Sequence, residues 1–369
     1  MTLDVPAKNL ECCPYYGLNG DMSVPSPAIP DDLDGAPGPY DAGPEGKDLW
    51  FLPDADPERD SLVPLLRADR PLFSIADWRK AEGEQAALLA DVGFRLGILD
   101  ERLRSFGGGS LTRLALKAAE ELCWAQGDRI AADRLVLWME MNLAGVQDDS
   151  QALARASWAA RRLASPRAAA DSGLGEGTRD LLGRRESGQE GAVADLVTAM
   201  VGAEALHPLT RGAFVFQAWR ILGQEGAATG IEAAVLGARV SASTARGGAY
   251  FLPVGLAGLD GARGASPGEK LGAWLRSAER GLFAALMALE RLSLWQSRAQ
   301  AVLADLQGRT PVMLVDLFLT MPVVTAPLAE ARVRAGRSTV QRNLDLMQVR
   351  SLIREITGQG RFRVWTVQT

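Results

Sequence analysis

His207 is the only histidine in the 369 residues. It is where acid–base chemistry near neutral pH would have to begin, because imidazole titrates there without help. Pro208 follows it, with Gly212 four residues further on. A base of this kind needs something to act on, and the chain offers little. A serine nucleophile would want a G-x-S-x-G elbow, which is missing. Glu120 and Glu121 sit side by side on a stretch that reads as an amphipathic helix with a solvated charged face. Cys12, Cys13 and Cys123 form no C-x-x-C pair and have one histidine to help them, so neither a zinc site nor a disulfide framework is expected. Cys123 lies among apolar residues, as a core thiol does. DADPERD (54–60) fails as a calcium loop because Pro57 interrupts it and Arg59 stands where glycine is needed. GLDGARGASPGEKLG (258–272) has the glycines of a phosphate loop but no G-K-[ST]. No catalytic residue, metal ligand or cofactor is expected.

Arginine offers different chemistry. Residues 309–369 carry 9 arginines, no lysine and 4 acids, whereas residues 1–60 carry 13 acids against 3 bases. The middle, 61–308, is neutral. Guanidinium groups bind phosphates and base edges through planar, paired hydrogen bonds, so an arginine-only tail points to nucleic acid. A solvated charged face is the alternative reading of the same charges.

Those arginines need elements to hold them. Residues 1–60, with 10 of the 19 prolines, read as an acidic, partly disordered arm. Residues 61–308 read as an all-α domain. Ser74 caps a helix through about Leu103, with Ala87, Leu88, Val92, Leu96 and Leu99 at helical spacing. GGGS (107–110) breaks the chain, and Ser110 caps a second helix through Trp124. Helical stretches follow near 129–142, 150–164, 190–202 and 210–222, with gaps at 172–188 and 223–230. Ser266, Pro267 and Glu269 form a capping box that opens a long helix to about Leu306. Leu275, Leu282, Leu289 and Leu303 fall at heptad spacing beside a second seam of Ala278, Ala285, Leu292, Ala299 and Leu306. Either the spine of a bundle or a dimer seam would explain that pattern. No run of about 18 apolar residues occurs, so no membrane span is expected, and the cytoplasm fits best.

Residues 309–369 read as a winged helix-turn-helix. Thr310-Pro311 starts a helix that ends at Pro322, and Thr325 caps a second one. Ser338 and Gln341 form a capping box for a third, which buries Val340, Leu344 and Met347 and turns Thr339, Gln341, Arg342 and Asp345 outward. SLIREI and RFRVWTV are β segments joined by Thr357-Gly358-Gln359-Gly360. Double-stranded DNA is the partner such a module takes. Arg337, Ser338, Thr339, Gln341 and Arg342 would face the major groove. Arg332 and Arg334 beside the turn, with Arg361 and Arg363 on the wing, would meet phosphates. A winged helix used only for packing against protein remains the competing interpretation.

MLVDLFLTMPVVTAPLAEARVRAGRSTVQRNLDLMQVRSLIREITGQGRFRVWTV (313–367) resembles the C-terminal winged helix carried by many Fic-family proteins. From about 74 onward, the chain is similar to rhizobial, often plasmid-borne proteins pairing a helical domain of unknown function with a C-terminal helix-turn-helix. AAEELCWAQGDRIAADRLVLW (118–138) carries that likeness in the helical part. The resemblance implies a Fic-like bundle and, in active relatives, adenylyl transfer by H-P-F-x-[DE]-G-N-[GK]-x-R. Laid on His207, the motif meets Arg211 in place of the acid and Ala213-Phe214-Val215 in place of the anion loop. Laid on WRILGQEGAATG (219–230), it meets Ile221 in place of the histidine. The expected protein is therefore a non-catalytic DNA-binding regulator of transcription or plasmid function, whose helical domain serves either a homodimer, the sensing of a ligand or the docking of a partner. The alternatives are a divergent Fic-type AMP transferase and a toxin–antitoxin-like module. Departures from the pattern are Ser351 where glycine is common and a turn between Ala331 and Ser338 one residue longer than usual.

Overall fold

In the computed structural model of the protein, the described residues are 73–106, 109–141, 149–166, 174–182, 190–223, 227–255, 266–357 and 363–369. The chain divides into two units, Met1–Asp60 and Ser61–Thr369. The expected acidic arm, the DADPERD stretch and Arg361 lie outside the described residues, as does most of the turn after Thr357.

The Ser74 hydroxyl accepts from the Asp77 amide at 3.3 Å and opens α1, Ile75–Glu84. The single helix expected to reach Leu103 is two helices, because Gln85 (φ −108°, ψ 15°) leaves the helical region before α2, Ala86–Phe106. Four further helices, α3 (Gly109–Ala125), α4 (Ala132–Met141), α5 (Ser150–Ala164) and α7 (Glu190–Ala199), fall close to where periodicity places them. Ser110 is not the cap of α3; it is already buried within it. Two helices were missed. α6, Leu174–Leu182, lies inside the expected gap at 172–188, and α9, Ala227–Ser241, begins inside the one at 223–230.

α8, Pro208–Leu222, and α9 make the closest helix pair. A Cβ on Gly237 would stand 2.7 Å from the Gly212 carbonyl oxygen, so only glycine lets the two backbones meet. Nearly every residue of α8 from Leu209 to Trp219 is buried. A helix wrapped on most sides shows little amphipathic period.

α10, Pro267–Val302, is opened by the expected capping box, with Ser266 and Glu269 bonding reciprocally. Both apolar seams from Leu275 to Ala299 are buried within this one chain, against α1, α2, α8 and α11. The seams are thus those of a bundle spine.

α11 (Thr310–Thr320) is followed by β1 (Val324–Thr325), α12 (Ala326–Val333), α13 (Arg337–Val349), β2 (Ile353–Glu355) and β3 (Val364–Val367). The Thr325 hydroxyl caps α12 through the Leu328 amide at 3.2 Å. The strands form an antiparallel sheet in the order β1-β3-β2, with Thr325 opposite Val364 and Arg354 opposite Thr366. β1 was not expected; two residues are too few to carry a period. Among the described residues there are thirteen α-helices, and none is long and apolar enough to cross a membrane.

This C-terminal module is bonded firmly to the bundle. Arg113 of α3 donates to the Phe318 and Met321 carbonyls at 2.8 and 2.7 Å, capping the end of α11. Burial of that guanidinium lowers its pKa to about 10. The Trp295 indole donates to the Leu352 carbonyl at 2.7 Å and packs edge-on to Phe318. Arg350 reaches back to Asp305 and the Val302 carbonyl.

His207 is the N-cap of α8. Its Nδ1 accepts from the Leu209 amide at 3.2 Å, and its own amide donates to Glu82 at 2.6 Å. An accepting Nδ1 is unprotonated. Desolvation lowers the imidazole pKa, with Glu82 opposing and Arg211 adding to the effect. The unfolded chain therefore takes up the proton first as pH falls. The cap's contribution is full above about pH 6.5 and is lost as pH drops below that value. His207→Ala is expected to cost about 1 kcal/mol at pH 8, as caps do. The difference in melting temperature between parent and variant should shrink toward pH 5.5. A gap that stays constant with pH would reject the capping role.

α13 ends in a Schellman arrangement: the Leu352 amide donates to Met347 and the Ser351 amide to Gln348, at 2.9 and 3.0 Å. The reversal puts Ser351 at φ 56°, the left-handed region that a Cβ disfavours. Ser351→Gly is expected to raise stability by roughly 0.5–1 kcal/mol, net of the extra freedom glycine has when unfolded. Ser351→Val should lower it by about 1 kcal/mol or more. Denaturant midpoints of the three proteins check this, and an unchanged glycine variant would show that the reversal is unstrained.

Candidate nucleic-acid interface

α12 and α13 are joined by Arg334, Ala335 and Gly336. This is a three-residue turn and not a lengthened one, because both helices extend toward it further than the sequence suggested. Arg334 makes the turn in the left-handed region at φ 54°, its amide bonded to the Glu330 carbonyl. Gly336 is the N-cap of α13. The expected Ser338–Gln341 capping box does not form, since the helix starts at Arg337 and Gln341 turns down to Asp345 at 2.9 Å. No side chain caps this first turn.

Val340, Leu344 and Met347 face the core as expected. Arg337, Ser338 and Arg342 are exposed, with Ser338 and Arg342 one turn apart on the outer face. Thr339 and Gln341 are half-buried at its edge. Arg334, Arg337 and Arg342 carry no ion pair among the described residues, so three guanidinium groups surround the turn and the start of α13.

Two of the expected phosphate contacts are otherwise engaged. Arg363 donates to Glu355 at 2.6 Å, to Asp345 at 3.1 Å and to Gln348 at 3.0 Å, and it stacks 4.8 Å above the Trp365 ring. The Glu355 bond, above all, raises its pKa further. Its guanidinium is a strut between α13 and the sheet, with 27% of the side chain still exposed. The reason is non-local: the acids that take it are 8 and 18 residues away. Arg332 donates to both oxygens of Glu140 on α4, at 3.0 and 2.8 Å, though its side chain stays half exposed. An exposed pair of this kind exchanges partners at little cost.

Arg354 was missed. It stands exposed on β2 between buried Ile353 and half-buried Glu355, the alternation a strand imposes, and that alternation could have singled it out.

Polar groups also converge on a cleft of about 430 Å³ lined by Asp100, Glu101, Arg104, His207 and Arg246, among others. Asp100 is spent on the loop beneath α9, accepting from the amides of Arg246, Gly248 and Ala249 at 2.7–2.8 Å. Arg104 pairs with Glu101. The residues after His207 run straight into α8, and Ala213, Phe214 and Val215 are buried in it, so no anion loop follows this histidine. Cys123 is buried, and desolvation pushes its thiol up to about 12, far from a reactive thiolate.

No curated protein matches the chain. Residues 312–367, from α11 to the end of β3, match a protein-family model described as an HTH DNA binding domain. The C-terminal module of this mainly helical protein is a helix-turn-helix DNA-binding domain.

Proposed function

We propose that the protein binds double-stranded DNA as a regulator of transcription or of a plasmid function, and acts through binding rather than catalysis. One observation carries the reading: exposed Arg334, Arg337 and Arg342 surround the uncapped first turn of α13, in a module whose sequence matches a DNA-binding domain. α13 enters the major groove with Arg342 and Ser338 toward base edges. The amides of the first turn have no side-chain acceptor, and a phosphate oxygen is the partner that suits a helix N-terminus. The β2–β3 hairpin serves as the wing, and Arg354 is its phosphate contact. The Arg363 strut neutralises Asp345 and Glu355, which would otherwise set two carboxylates beside the DNA. A nucleotidyl transfer reading would have to use His207, whose Nδ1 is already committed to a helix amide.

The two arginines separate the roles. Arg342→Ala should weaken binding to the preferred sequence by about 1–3 kcal/mol and relax the preference at one base pair, with melting unchanged. Arg363→Ala should lower stability by about 1–3 kcal/mol, because two carboxylates lose a charged partner. Titration of the full chain against the preferred and a scrambled duplex at two salt concentrations, with thermal melts alongside, measures both. Arg363→Ala with an unchanged melt and a salt slope lower by one would restore it as a phosphate contact. A parent without salt-dependent binding would end the DNA reading.

A further inference from the structure

The spine helix has a second face. Opposite its buried seams, Phe283, Met287 and Leu294 point to solvent, 59%, 41% and 65% exposed. Spacings of four and seven residues put them in one stripe along the helix. Three large apolar side chains aligned on one exposed helix face are unlike the single exposed residues any surface carries.

We infer that this stripe is the interface with a second copy of the same chain, the two α10 helices packing antiparallel about a two-fold axis near residue 285. The pattern is self-complementary in that register. Reflection through 285 brings Phe283 against the partner's Met287 and Arg280 against the partner's Glu290, and each contact occurs twice, as an isologous interface requires. Leu294 then lies over the stem of the partner's Arg276, whose methylenes accept an apolar neighbour. All of these positions are exposed. Glu290 already accepts from Arg102 at 2.6 Å, but half of its side chain is open to the outside. A different protein would have no reason to repeat the Arg280–Glu290 charge pair on both sides of the axis.

The register also sets a distance. Trp295, which pins the C-terminal module to the spine, lies roughly ten residues from the axis. At about 1.5 Å per residue the two copies of Trp295 stand about 30 Å apart. Successive half-sites on one face of B-DNA are about 34 Å apart. This spacing argument rests on the DNA-binding reading; the complementarity of the stripe does not.

Sedimentation of the full chain without DNA, at micromolar concentrations, tests the interface. The parent should be a dimer. Phe283→Glu should be monomeric with unchanged helical content, since the side chain is exposed in the protomer. Arg280→Glu and Glu290→Arg should each weaken the dimer at least tenfold, and the double exchange should recover it to within about threefold of the parent. Recovery by the double exchange supports the antiparallel register, because no other pairing of the stripe sets these two residues together. A monomeric parent overturns the inference, as does a dimer indifferent to all of these changes. A dimer that ignores DNA supports the interface and removes only the DNA reading, whereas a monomer that binds DNA does the reverse.

Discussion

The bond from the Trp295 indole to the Leu352 carbonyl fixes where α13 sits. A buried indole N–H has to find an acceptor, and this one finds the carbonyl just past the reversal that ends α13. Phe318 closes on the same ring from α11. One aromatic group on the spine thus touches both the first helix of the C-terminal module and the strand lead-in that follows its last. Arg113 adds a second anchor from α3. The module is consequently not a bead on a string: cutting before residue 309 would expose Phe318 and the face of α11 that packs on α3.

The electrostatics follow the same logic. Nine arginines in the last 61 residues look like a broad basic tail, yet the fold spends several of them. Arg350 goes to Asp305, Arg363 to Asp345 and Glu355, and Arg332 to Glu140. What remains outward is concentrated at the turn and the first turns of α13, where helix polarity adds positive potential. Charge recruited into struts is not wasted. Arg363 ties Asp345 of α13 to Glu355 of β2.

Local signals were legible. Ser74, Ser266 and Thr325 cap where their spacing to the first apolar turn says they should, because a cap depends on three or four consecutive residues. The inward set Val340, Leu344 and Met347 follows from helical period alone. Residues whose role depends on distant partners were not legible. Nothing near Arg332 announces Glu140, 192 residues away, and nothing near Arg363 announces Gln348. α9 escaped for another reason: GQEGAATG looks like a loop by composition, yet α9 begins inside it, where a Cβ on Gly230 would press on the Gln126 side chain. Ser351 was visible as a departure, and the structure supplies the cause in a reversal that glycine would adopt more easily.

α10 illustrates why heptads read from sequence are ambiguous. Its leucine and alanine seams satisfied both a bundle spine and a dimer seam, since either partner offers the same apolar surface. Burial decides between them, and it assigns those seams to the chain's own helices. The stripe of Phe283, Met287 and Leu294 was overlooked because it is shorter and interrupted by charge. Interruption is also what keeps an exposed apolar face compatible with water. The stripe is narrow and bounded by exposed Arg280, Glu290 and Arg291, while the continuous seams stay inside.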